Sequence, residues 1–294
     1  MKIAHWLIMA ALLSSMAGCG TNSGVSGSNL HAVAFGHGSF VAVGDGGEIV
    51  ASSDGSSWTS QTSGVTADLV GVTYGGNKFI IVGAGGTALQ SSDGTAWSVA
   101  TVANDVSFLG VAYGDGTFVI VGKGGSVYTS TDGATWSSQA SGTSSALEAV
   151  TFASTFIAVG VDGTILTSSD GASWSATATG TSQTLQGVRY GNGTYLAVGA
   201  NGVILKSTGT ESWSTIETGV SQDLNGVGYA LGLFVVVGAD GKILTSADAS
   251  TFTDRTSGTS ESLTSVAFGN NVFVAVGFSG TILHSDDGIS WTTA

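Results

Sequence analysis

Along the chain, hydrophobic positions arrive in short bursts cut by glycine, and never at the three-to-four spacing of a helix. In one representative stretch, Leu69–Tyr74 alternates and ends in Gly75-Gly76-Asn77, a turn signal. Lys78–Val82 is then a continuous apolar run, closed by Gly83-Ala84-Gly85-Gly86. Thr87–Ser91 follows, then the turn Ser92-Asp93-Gly94-Thr95, then Trp97–Thr101. Strand-length pieces bounded by glycine-rich turns predict all-β structure. Within Leu69–Tyr74, Val72 and Tyr74 share one face of the strand while Gly71 and Thr73 share the other.

That stretch is one of seven copies. Trp58, Trp97, Trp136, Trp174, Trp213, Phe252 and Trp291 stand 39, 39, 38, 39, 39 and 39 residues apart. Two further aromatic series run in step, from Phe35 to Phe268 and from Phe40 to Phe273, as do glycines from Gly44 to Gly277 and from Gly47 to Gly280. The single deletion falls between Phe152 and Phe156. Four strands in a unit of this length is the pattern of a propeller blade, so the chain is expected to be an all-β, seven-bladed β-propeller of four-stranded antiparallel blades. A bulky strand face laid on a neighbour's small face suits a closed ring of stacked sheets. Each buried aromatic removes about 150–250 Å² from water, which sustains such a ring without metal or disulfide. The last unit stops three residues after Trp291, and a link-like Ser23-Gly24-Val25-Ser26 lies near the other end, so the ends are expected to meet.

The first residues read differently. Lys2, an apolar run from Ile3 to Leu13 and then Met16-Ala17-Gly18-Cys19 have the form of an export signal. The run is shorter than the about 20 residues a membrane-spanning helix needs. Met16-Ala17-Gly18-Cys19 resembles the lipobox of bacterial lipoproteins, which implies diacylation of Cys19, the only Cys of the chain. Gly20 after it implies, by resemblance to enterobacterial sorting, the outer membrane. The organisation expected is a signal peptide over 1–18, a lipidated tether over 19–29 and the propeller over 30–294. Cys19 would hold the ring near the bilayer, on the periplasmic or the outer side.

Charge narrows the function. The net charge is −13, with seven Lys and Arg against 20 Asp and Glu, which argues against nucleic-acid binding. No nucleophile elbow, zinc-protease or phosphate-loop motif occurs, and no cofactor or metal is expected. His31 and His284 are read as packed or solvated side chains rather than a metal pair.

Ser52-Ser53-Asp54-Gly55-Ser56-Ser57-Trp58 recurs through the units and resembles the Asp-box of bacterial neuraminidase-type repeats, with one residue fewer before the Trp. Asp54, Asp93, Asp132, Asp170, Asp248 and Asp287 are read as structural: a carboxylate can accept turn N–H groups, and a catalytic residue has no reason to recur at every turn. Sialidase activity is excluded, because that family grips its substrate with three arginines and only Arg189 and Arg255 are present.

Residues that break the repeat are the candidates for function. Glu148 and Arg189 depart from neutral inner-strand positions and are expected to form a channel-lining or buried ion pair. Loops between second and third strands carry Asp45, Glu48, Lys123, Asp162, Asn201, Asp240, Lys242 and Phe278. Links between units add Asp68, Asp105, Asp223 and Glu261. Both sets are expected on one face, where loops on a rigid ring commonly carry function.

The repeat V-x-[FY]-G-x-x-x-[FY]-[VIL]-x-V-G-x-x-G-x-[IVA]-[LVY]-x-S-x-D-G-x-x-W resembles the seven-bladed propellers of the photosystem II stability/assembly factor-like and BNR repeat group. The resemblance implies an exported, chaperone-like binder; photosynthetic members present a basic surface that this acidic chain does not offer. The reading is a monomeric, lipid-anchored, non-catalytic propeller of the bacterial envelope that binds an envelope protein or glycan. A glycan hydrolase or lyase using carboxylates at the channel mouth, and an adhesive surface protein, are the alternatives.

Overall fold

A computed structural model describes residues 25–102 and 105–294. The signal expected over 1–18 and Cys19, expected to be lipidated, lie outside the described residues. The described chain forms seven four-stranded antiparallel sheets, each built from four consecutive strands. In the second blade these are Leu69–Gly75, Lys78–Gly83, Thr87–Ser91 and Ser98–Thr101, within a residue of the strands read from the pattern. The first strands line up around a closed ring, with Leu263–Gly269 of the last blade beside Leu30–Gly36 of the first. The expected seven-bladed propeller is the observed fold.

The aromatic periods build the core. In every blade the aromatic on the first strand packs on its partner across the hairpin, with ring centroids 4.5 to 4.8 Å apart. The second-strand ring then meets the Trp of the Asp-turn, as in Phe40 and Trp58 at 6.4 Å. Between blades the fit depends on missing side chains. A Cβ added at Gly36 would stand 2.0 Å from the Tyr74 ring of the next blade, and one at Gly269 would stand 2.0 Å from the Phe35 ring. The second of these contacts joins blade seven to blade one.

The ring closes without a shared sheet. Residues 25–29, read from the sequence as part of a tether, are seated against the last blade: Val25 packs with that seam's core and Asn29 Oδ1 accepts the Ser279 N–H at 3.1 Å. They do for the last blade what the inter-blade links do elsewhere. Thr264 adds a hydroxyl donated to the Leu30 carbonyl at 2.8 Å.

Between second and third strands each blade makes a three-residue 3-10 turn, such as Ala84–Gly86, which lies beside the first strand of the following blade. Links and 3-10 turns share one face, as expected. Asp68 Oδ1 accepts the Gly46 N–H at 2.9 Å, and Asp223 Oδ1 accepts the Asn201 N–H at 2.8 Å. The inner hairpins and the Asp-turns occupy the opposite face.

Candidate functional site

The geometry of the channel mouth comes from a defect repeated in every blade. Pairing between first and second strands slips by one residue near the start, between Leu30 and Ala32 in the first blade and at the equivalent place in the rest. The extra residues are His31, Val70, Leu109, Glu148, Gln186, Asn225 and Thr264. A bulge bends its strand and re-aims a side chain, which suits a rim. All seven line one cavity of about 620 Å³ at the loop-bearing end of the channel. Seven equivalent positions carry seven different residue types, whereas the position before them is always Leu or Phe.

Part of this ring is already engaged. Asn225 Nδ2 donates to the Leu263 carbonyl at 2.8 Å, and Thr264 is held as described above. His31 Nε2 meets Asp45 Oδ1 at 2.5 Å, Asn29 Nδ2 donates to Asp45 Oδ2 at 2.8 Å, and the half-exposed Phe278 ring stands edge-on to His31. The arc from Val70 and Leu109 to Glu148 and Gln186 remains open, and Gln186 Oε1 is buried without a partner. Burial pushes the Glu148 carboxyl above its ordinary range, an effect that the charge of Lys123 partly offsets.

The expected Glu148–Arg189 pair does not form. Glu148 lines the mouth, whereas Arg189 lies three positions further along the equivalent strand and lines the far end of the channel. Three residues of strand amount to about 10 Å, too far for contact between groups at opposite ends. The bulge is the physical reason: it turns position 148 to the rim, and its neighbour on the next strand is Gln186.

Several loop candidates have a local role. Asp162, Asn201 and Asp240 sit at the centre of their 3-10 turns with φ of 58°, 54° and 56°, where three other blades use glycine. Asn and Asp tolerate that region better than most residues. Glu48 accepts from Ser26 and Ser60, Glu261 from Ser279, and Lys242 pairs with Asp254 at 2.8 Å. Lys123 stands in the electrostatic range of Glu148, and Phe278 is at the rim. His31 and His284 belong to different layers, the first on an inner strand and the second on the third strand of its blade. Among the described residues no three potential ligands are grouped to hold a metal.

The Asp-turns have a repeated internal structure. In the first, Asp54 Oδ1 accepts the N–H groups of Ser56 at 2.8 Å and Ser57 at 2.7 Å, and Ser52 donates its hydroxyl to it at 3.0 Å. Trp58 Nε1 donates to the Gly55 carbonyl at 3.1 Å. Asp93, Asp132, Asp170, Asp248 and Asp287 accept the same backbone pair. These bonds favour the charged form and hold each carboxyl below its ordinary value, the N–H three residues on contributing most. For Asp170 and Asp248 the pKa falls to about 2.

Sequence reasoning missed the bulge ring. The signal was present as a position without any type preference between an invariant large residue and a small one, but strict alternation conceals an inserted residue.

The fold and mouth together define a seven-bladed propeller with a chemically varied rim on one face of a regular ring. The DUF6242 beta propeller domain family model matches residues 26–147. The fold is also similar to a solved structure of YCF48 bound to D1 peptide, at 18% identity and a TM-score of 0.72, covering 90% of this chain and 92% of that one. YCF48 from Cyanidioschyzon merolae is similar at 19% identity and 0.61, over 78% and 85% of the two chains. The computationally designed Ika8 protein is similar at 13% identity and 0.67, over 90% and 86%. No curated protein matches the sequence.

Proposed function

We propose that this protein is a lipid-anchored, non-catalytic binding propeller of the bacterial envelope, acting as a scaffold that receives a segment of a partner protein at its channel mouth. The observation that carries the reading is the bulge ring. A repeat that keeps its core in register places seven different side chains at one equivalent rim position. Loops and rims on a rigid scaffold are where binding residues concentrate. The open arc offers two apolar side chains and a carboxylate with an elevated pKa, groups suited to an extended peptide with apolar and donor positions. The fold's likeness to YCF48, recorded with a D1 peptide, supports a peptide over a small substrate.

Of the residues lining the mouth, only Glu148 carries a carboxylate. Glycoside hydrolysis of the usual kind needs two flanking one bond, so this mouth favours binding over the hydrolase alternative. Anchoring rests on Met16-Ala17-Gly18-Cys19.

A photocrosslinking amino acid at Gln186, compared with one at the exposed Ser92 on the Asp-turn face, tests the site in native membranes. A discrete protein adduct from position 186 alone is the expected result. Equal labelling from both faces, or none from the mouth, overturns the proposal. Membrane fractionation of Cys19→Ser tests the anchor separately; a variant still found with membranes would remove it.

A further inference from the structure

Three departures from the repeat, scattered through the sequence, converge on one place at the far face. The first is the shortened hairpin of the fourth blade: Phe152 pairs directly with Phe156, leaving only Ala153-Ser154-Thr155 as the connection. Elsewhere the hairpin is one residue longer, and in the neighbouring blade it turns through Asn192-Gly193 with φ of 46° and 75°. The second is Arg189, where the other blades have Ala, Thr or Gly. The third is Tyr195, the only member of its series that is not Phe, whose hydroxyl lies near Ser154.

Their joint effect is a cleft. Tyr190 keeps the ring packing of its series, 4.6 Å from Tyr195, but the shortened hairpin of blade four no longer covers it. The residue is 39% exposed, second only to Phe278 among the Phe, Tyr and Trp residues described. A cleft of about 430 Å³ opens there, lined by Thr151, Phe152, Ala153, Ser154, Arg189 and Tyr190. It adjoins the far end of the channel, a cavity of about 420 Å³ with which it shares Thr151, Phe152 and Arg189. Both volumes fall in the range of roughly 300–1,000 Å³ usual for small-molecule sites.

Arg189 is the only charged residue in either wall. Among the described residues its guanidinium has no hydrogen-bond or ion-pair partner. The guanidinium is open to channel water yet surrounded by neutral wall, and this loss of solvation lowers its pKa. Neither wall supplies a carboxylate to pair with this exposed guanidinium, so a ligand anion would meet it without competition from the protein.

We infer that the cleft between the fourth and fifth blades binds a carboxylated sugar, with Arg189 gripping the carboxylate and the exposed Tyr190 ring stacking on the pyranose face. A single guanidinium, without a second cation or a helix terminus, suits a singly charged carboxylate and pairs with it through two parallel N–H groups. The flat face of Tyr190 offers an apolar platform beside the hydroxyls of Thr151 and Ser154, a combination suited to a ring that is apolar on its face and polar at its edge. This site lies at the opposite end of the channel from the protein-binding mouth and stands independently of it.

Calorimetric titration of the full-length protein in detergent with D-glucuronate, D-glucose, acetate and inorganic phosphate tests the inference. Glucuronate is expected to bind at least about tenfold more tightly than each of the other three, the extent of one good charge-assisted contact added to the stacking. Arg189→Thr installs the residue that the second and fourth blades already carry, so the fold should be retained, and a thermal melt checks it. That variant should lose about tenfold or more of the glucuronate affinity, and Tyr190→Ala should weaken glucuronate while leaving acetate unchanged. Phosphate binding as tightly as glucuronate, no glucuronate binding at about 10 mM, or unchanged affinity in Arg189→Thr would each overturn the inference.

Discussion

Gly83 ends the second strand of its blade in an extended conformation with φ of −169°, which any residue can adopt, so its backbone gives no reason for glycine. The reason is space. A Cβ at this position would stand 2.1 Å from the carbonyl oxygen of Asp68, where contacts below 3.0 Å essentially never occur. The same clash, with the carbonyl preceding the first strand of the blade, recurs at Gly44, Gly122, Gly160, Gly199, Gly238 and Gly277. The carbonyl cannot retreat freely, because it accepts the Ala84 N–H at 2.9 Å and so holds the 3-10 turn at the mouth. In Gly83→Ala the methyl must push that carbonyl back by about 1 Å. Overpacking costs about 1–3 kcal/mol, and a buried donor left without its acceptor about 1–3 kcal/mol more. The lower entropy of the unfolded Ala chain returns about 0.4–1 kcal/mol. A net loss of about 1–6 kcal/mol is therefore expected, a large share of a normal folding free energy of about 5–15 kcal/mol. Gly64→Ala is the control: it has φ of +77° and nothing within 4 Å, so it incurs only the left-handed backbone penalty, about 1–2 kcal/mol. Urea unfolding followed by tryptophan fluorescence measures both. Gly83→Ala within about 0.5 kcal/mol of wild type, or more stable than Gly64→Ala, would refute the reasoning.

Two other expectations concern the far face. The Asp-turn carboxyls have folded pKa values below their unfolded ones, so their contribution is present above the ordinary value of 3.8 and is lost as pH falls toward about 2 for Asp170 and Asp248; melting temperatures should drop across that interval, and Asp170→Asn with Asp248→Asn should flatten the drop, an unchanged slope counting against the assignment. Leu231 holds φ of 52° while 63% exposed, at a hairpin position that is Asp115, Asn192 and Asn270 in the third, fifth and seventh blades; Leu231→Asn should stabilise by about 0.5–1.5 kcal/mol in the same urea assay, and a destabilised variant would contradict the strain argument.

The architecture was readable because each period has a local cause that tertiary context does not overrule. An aromatic every 39 residues marks a hairpin and an Asp-turn, and the glycines mark places where another chain segment fills the Cβ position. The shared face of links and 3-10 turns followed from topology, and the Asp-turns from the hydrogen-bonding reach of a short carboxylate. Other elements were not readable. Glu148 and Arg189 looked like partners because both break the pattern on adjacent inner strands, yet an inserted residue at position 148 aims it at the rim and separates the two. Asp162 and Asp240 looked like surface charges for a partner, and they also serve as the left-handed residues of tight turns.

Sequence alone therefore determined the count of blades, their strand content and the identity of the packing residues, since these depend on side-chain size and on spacing along one strand. The tertiary structure alone decided which exceptions meet: the bulged residues around the mouth, and Ala153, Arg189 and Tyr190 at the far end. Such meetings depend on registry between neighbouring sheets and on hairpin length, and a one-residue change in either redirects a side chain without altering the repeat that surrounds it.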